Sequence, residues 1–225
     1  MPKVIFRVLL AALAAALLAS GAGTASARNF SVRGAESGFR FTFNRFEFLM
    51  AWNNNRLGAI CPVTMEGSFH SRTIAKVVRM LIGYVTRVAL SEAACRGFSG
   101  PEENPWPVRA EFLAESLPWH MQYNGFTGLL PRISSIRANL IGPAIRVSET
   151  AIGWSCLYRA SAEVPMHYSF LLREEGVISS FRAESGEQLI PLVSGFACNL
   201  EGMNYAGEAA VTALGTTTRL TVTLI

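Results

Sequence analysis

The sequence predicts a mainly β protein, an antiparallel β-sandwich or flattened barrel, with one short amphipathic helix near residues 71–83. Apolar and polar residues alternate in roughly ten short segments, the period of a half-buried strand. One stretch alone carries the period of a helix. Gly, Pro, Asn and Ser separate the segments at the spacing of sandwiches and barrels.

Residues 1–27 read as a Sec-type signal peptide. Lys3 and Arg7 supply the basic start, Val8 to Ala19 the apolar run, and Ala25-Ser-Ala27 the small-residue cleavage site. The run is short for a bilayer span. The chain beyond it, residues 28–225, is expected to be a single disulfide-stapled β domain, with residues 28–38 polar, Gly-containing and flexible. Phe39-Arg-Phe-Thr-Phe43 alternates strictly, and Asn53-Asn-Asn55 reads as a turn. Leu57 to Phe69 is a second strand, with Pro62 marking an edge or a bulge. The helical signal is Ile74, Val77, Val78, Leu81 and Ile82, with Arg72, Lys76 and Arg79 opposite, Ser71 or Thr73 as cap and Gly83 as stop. A strand follows from Tyr84 towards Cys95, then a Pro-rich loop from Ser99 to Pro107.

Further strands are expected at Val108–Leu113, around Trp119, Met121 and Tyr123, around Ile136, Ala138 and Leu140, and at Trp154–Ala160. Others fall around Met166, Tyr168 and Phe170, around Val177, Ser179 and Phe181, at Tyr205–Leu214, and around Leu220, Val222 and Leu224. No linker or repeat divides the chain. An outer-membrane barrel fits less well, because the strands are short and the last residue, Ile225, is not aromatic.

Cys61, Cys95, Cys156 and Cys198 are an even set in a chain that reads as exported, which points to two disulfides. The local pairing Cys61–Cys95 and Cys156–Cys198 is the expected one of three. No CxxC or Cys/His spacing supports zinc, so no metal and no cofactor are expected. Without Lys3 and Arg7 the charge is nearly balanced, 18 basic residues against 16 acidic, and the arginines are scattered. That argues against nucleic acid as a partner. The acids are all Glu; with no Asp, EF-hand loops and Asp-oriented triads are excluded.

GxSxG, HExxH, Walker and GxGxxG motifs are absent. The densest polar cluster is Glu66-Gly-Ser-Phe-His-Ser-Arg72, where an extended chain puts Glu66, Ser68 and His70 on one face. Glu66 with a histidine could act as an acid/base couple or as metal ligands. His120 and His167 lie on the polar side of their strands and, with His70, complete the candidate catalytic set. The plain alternative is a set of solvated polar faces. Among Trp52, Trp106, Trp119 and Trp154, the phase of Trp119 and Trp154 places them in the core. Trp106, between two prolines, is the one expected to be exposed, as a platform on which a sugar could stack.

Glu66–Lys76, Leu81–Thr86, Leu117–His120 and the ending Leu220–Ile225 resemble a group of uncharacterised exported proteins of GC-rich bacteria. The resemblance implies export and transfers no catalytic residues. The function expected is an exported, non-catalytic structural or binding module of the cell envelope or medium. The alternative is a secreted hydrolase using Glu66 with a histidine, with or without the help of a metal ion. Envelope polysaccharide or protein is the class of partner that export leaves open, and no transmembrane span is expected after the leader.

Overall fold

Phe30 and Val32 alternate with Asn29, Ser31 and Arg33, and these five residues form the first strand of a computed structural model. The structure describes residues 29–34, 38–52, 55–100, 104–149, 151, 153–195, 198 and 201–225. The expected leader, residues 1–27, lies outside the described residues. The strands are β1 (Asn29–Arg33), β2 (Phe39–Trp52), β3 (Asn55–Phe69), β4 (Thr73–Ala75), β5 (Leu81–Leu90) and β6 (Arg96–Ser99). Next come β7 (Asn104–Pro105), β8 (Val108–Phe112), β9 (Trp119–Leu129), β10 (Arg132–Ile141), β11 (Ala144–Glu149) and β12 (Trp154–Arg159). The last are β13 (Met166–Leu172), β14 (Ile178–Glu184), β15 (Leu192–Gly195), β16 (Asn204–Ala213) and β17 (Thr221–Leu224). The mainly antiparallel β class is as predicted.

β2, β16, β14, β13, β10, β9, β5 and β3 are hydrogen-bonded in that order, and β3 pairs back onto β2. These eight strands close a barrel, a size that side chains can fill. Aromatic rings fill it. Phe41 stacks on Phe181 at 3.9 Å, Phe181 on Tyr168 at 4.6 Å, and Phe39 on Phe41 at 4.4 Å. Phe39, Phe41, Phe43, Phe46 and Phe48 are all fully buried.

The inward phase switches from odd to even numbers between Phe43 and Phe46. Phe43 faces Val63 and Phe46 faces Cys61, so Asn44 and Arg45 together oppose Pro62. That is a β-bulge, and it keeps the whole stripe on one face. Pro62 therefore sits at a bulge, one of its two expected positions, where the regular ladder is interrupted. Gly67 lies opposite Phe39, and a Cβ there would come within 2.8 Å of the Phe39 ring.

Two smaller sheets flank the barrel. β17, β1 and β4 bury Phe30, Val32, Ile74 and Val222, and Phe30 meets Phe126 of β9 at 5.9 Å. β15, β12, β11 and β8 cover the outer part of the β2–β3 hairpin. There Phe112 meets Phe48 at 5.6 Å and Trp119 at 5.1 Å, and the Tyr158 hydroxyl donates to Met50 Sδ at 3.1 Å. Both expected disulfides are present. Cys61–Cys95 ties β3 to the start of β6 with Cα atoms 4.2 Å apart, and Cys156–Cys198 spans 5.8 Å. On a chain-entropy argument each contributes about 4 kcal/mol.

Two expectations need correction. Residues 71–83 form no helix. Ile74 belongs to β4 and pairs with Phe30, while Arg79, at φ 67°, turns the chain into β5. The backbone of this segment bonds across strands: Arg79 N–H donates to Tyr123 O at 2.8 Å, and Tyr123 N–H to Met80 O at 2.9 Å. The Ser71 hydroxyl accepts from Thr73 N–H at 3.1 Å, closing a turn instead of capping a helix. Val77 and Val78, on the apolar face of the expected helix, are 54% and 59% exposed. The second correction is residues 28–38, expected to be flexible, where Asn29–Arg33 is strand β1, paired on both sides. A smaller shift in phase buries Ile178 with Phe181, whereas Val177 and Ser179 are only partly covered.

Outward positions of the barrel carry Arg40, Glu66, His120, Arg137, Arg182 and Glu208, the inverse of a lipid-facing band. Among the described residues no helix is long and apolar enough to cross a membrane. Trp119 is fully buried and its neighbour His120 exposed, as phase requires. Trp119→Ala should therefore cost about 3–5 kcal/mol, and His120→Ala no more than about 0.5 kcal/mol. Urea denaturation of the two variants checks this; a larger loss for His120→Ala would contradict it.

Burial holds the phenols of Tyr123, Tyr168 and Tyr205 above the ordinary tyrosine value. A folded-state value raised in this way keeps the phenol neutral while the unfolded chain ionises first. The stabilisation is thus complete below about pH 10 and falls as pH rises above it. In an alkaline titration the phenolate absorbance of these three should grow only with loss of the near-UV circular dichroism. Three phenolates in an intact fold would contradict the burial.

Candidate functional site

Prolines on both sides of Trp106 interrupt the strand pattern between β7 and β8. The short segment is nevertheless tightly held. Trp106 N–H donates to Gly97 O at 3.0 Å, and Val108 N–H donates to Trp106 O at 2.7 Å. The approach depends on Gly97, because a Cβ there would collide with the backbone oxygens of Trp106 and Val108. The Cys61–Cys95 bridge anchors the chain two residues before Gly97. The indole so placed is 43% exposed, as the sequence led us to expect.

Trp106 forms a ridge between two clefts. One, of about 450 Å³, is walled by Ile60, Phe98, Pro105 and Pro107, with Arg96 as its charged group. The other, of about 790 Å³, is polar and contains Arg109, Glu111 and Ser148. Glu111 accepts from Arg146 at 2.5 Å. Arg96 and Arg109 are both exposed, and among the described residues neither makes an ion pair. Pro101-Glu-Glu103, in the same expected loop, lies outside the described residues.

The four residues of the catalytic alternative are dispersed. Glu66 accepts from Arg40 Nε at 2.8 Å and from Arg87 at 3.5 Å, so its carboxylate is held by two guanidinium groups. His70 is exposed and meets the Tyr84 ring edge-on at 6.1 Å. His120 meets Tyr84 at 5.3 Å, so the tyrosine stands between two of the histidines. His167 lies two strands from β9 along the sheet, with β10 between. Its Nδ1 is 3.0 Å from Asn139 Oδ1 and its Nε2 is 2.8 Å from Gln188 Oε1, so amide side chains occupy both ring nitrogens. Its backbone N–H donates to the buried Tyr205 hydroxyl. A shallow groove beside His167 includes Arg182, which is paired with Glu208 at 3.0 Å. Among the described residues no group of three or more His, Cys, Asp or Glu could hold a metal ion.

Among the other tryptophans, Trp119 is fully buried and Trp154 is 7% exposed, while the side chain of Trp52 lies outside the described residues. Sequence reasoning did not single out Arg96, Gly97, Arg109 or Glu111. Arg96 and Gly97 stand before, and Arg109 and Glu111 after, a Pro-rich loop with no motif to join them; the contact of β6 with the Trp106–Val108 backbone brings them together. No protein-family model, curated protein or solved structure matches the chain.

The Gly97 contact yields a stability test. Gly97→Ala should lower the urea-unfolding free energy by about 1–3 kcal/mol, the cost of overpacking a closed contact. An unchanged midpoint would show that the Trp106 segment is not held by this approach.

Proposed function

We propose that this chain is an exported, non-catalytic binding module of the cell envelope or medium, and that the Trp106 ridge with its two clefts is its contact surface. The observation that carries the reading is an exposed indole on a backbone fixed by cross-strand hydrogen bonds, a glycine contact and a nearby disulfide. An indole with only two side-chain torsions, on a backbone already fixed, loses little conformational freedom when a ligand covers it. The two disulfides support an oxidising compartment outside the cytoplasm. The barrel interior is filled with aromatic rings, so a ligand must be met on the outside. The hydrolase alternative gains no comparable support: Glu66 is engaged by arginines, and both nitrogens of His167 are occupied.

The test expresses the whole chain with its leader in a bacterial host and mixes the recovered oxidised protein with washed cell-envelope material. The wild type should sediment with the envelope and Trp106→Ala should remain in solution, while Glu66→Ala and His167→Ala behave as wild type. Equal sedimentation of Trp106→Ala and wild type would overturn the surface assignment. Hydrolysis of envelope material that Glu66→Ala abolishes would overturn the non-catalytic reading.

A further inference from the structure

Among the described residues several arginines, Arg56 and Arg132 among them, make no ion pair, and the two beside Trp106 are set apart by the exposed indole between them. Arg40 and Arg87 hold Glu66, Arg146 holds Glu111, and Arg182 holds Glu208. Arg96 and Arg109, one in each cleft beside Trp106, make no such pair among the described residues. The site therefore offers an aromatic face with a free guanidinium on either side. Each guanidinium is a planar fork that matches a carboxylate.

From this arrangement, and resting on the reading of this surface as a binding site, we infer that it takes an acidic polysaccharide: a pyranose chain carrying carboxylates. One sugar ring lies on the Trp106 indole, its apolar C–H face against the ring. Neighbouring sugars run into the two clefts, where Arg96 and Arg109 meet their carboxylates. Ser148 in the second cleft supplies a hydroxyl for a sugar hydroxyl. The open ridge suits a polymer, which can cross it and continue on both sides. A protein partner fits less well, because the apolar wall of Ile60, Phe98, Pro105 and Pro107 lies on one side of Trp106 only, and the other side is the polar cleft of Arg109, Glu111 and Ser148. The other exposed large apolar side chains, Val77, Val78, Met80, Leu129, Leu130, Val193 and Ile225, line neither cleft.

Affinity electrophoresis of the oxidised protein through gels containing polygalacturonate, dextran or polyglutamate tests this. Polygalacturonate should retard the wild type, increasingly so at low salt, and dextran should not. Trp106→Ala should weaken the retardation about thirtyfold, as truncating a central interface tryptophan does, while Trp106→Phe should retain most of it. Arg96→Gln with Arg109→Gln should weaken it about tenfold and flatten its salt dependence. Near-UV circular dichroism identical to the wild type shows that each variant is folded.

Retardation by dextran equal to that by polygalacturonate would overturn the acidic class. Retardation by polyglutamate that Trp106→Ala leaves intact would reduce the site to plain charge. No retardation of the wild type by polygalacturonate would overturn the inference. In that case envelope sedimentation that still requires Trp106 would leave the binding-module reading standing with another ligand.

Discussion

The pairing of β3 back onto β2 is the constraint on which the rest depends, because it turns a run of eight antiparallel strands into a closed ring. The ring is stable only if β2 presents every bulky side chain to its inside. Phe39, Phe41, Phe43, Phe46 and Phe48 do so across a change of phase, which the bulge of Asn44 and Arg45 against Pro62 absorbs. Without the extra residue the second half of the stripe would face solvent, since a one-residue slip exchanges the two faces of a strand. Gly67 completes the arrangement by making room opposite Phe39.

Filling the barrel this way has a consequence for function. Phe41, Phe181, Tyr168 and Phe170 occupy the interior that in a wider or emptier barrel would receive a ligand. Recognition is left to the outside, and there the catalytic candidates are dispersed, with Glu66 and His167 engaged by neighbouring side chains. The ridge at Trp106 differs because β6 and β7 extend from β3 beyond the ring, and the Pro-flanked turn into β8 lies against β6. The same β2–β3 hairpin that closes the barrel thus provides, through β3, the frame on which the exposed indole stands.

Much of this was legible in the sequence. Strict alternation located β9, β10 and β13, and the phase of Trp119 against His120 gave the correct inward face. Cysteine order gave both bridges. The helix over 71–83 misled because Ile74, Val77, Val78, Leu81 and Ile82 have helical spacing, yet their burial is set by partners distant in sequence. Ile74 follows Phe30 and Ile82 joins the barrel core, while Val77 and Val78 sit in a turn that Arg79 completes at positive φ. β11 escaped notice because Ile145-Arg-Val147-Ser148 alternates over only four residues and the next inward position is a buried acid, Glu149. At the ridge, prolines on both sides announced an exposed Trp106. Arg96 and Arg109 carried no local signal, because only the packing of the Trp106–Val108 backbone on Gly97 makes them neighbours of the indole.

The measurement that tests the account most directly is amide hydrogen exchange of the whole oxidised chain, with and without polygalacturonate. The account predicts new protection confined to Arg96–Ser99 and to Trp106–Phe112, the backbone under the ridge and its clefts. Protection centred instead on the outer face around His167 and Gln188, with the Trp106 segment unchanged, would contradict it.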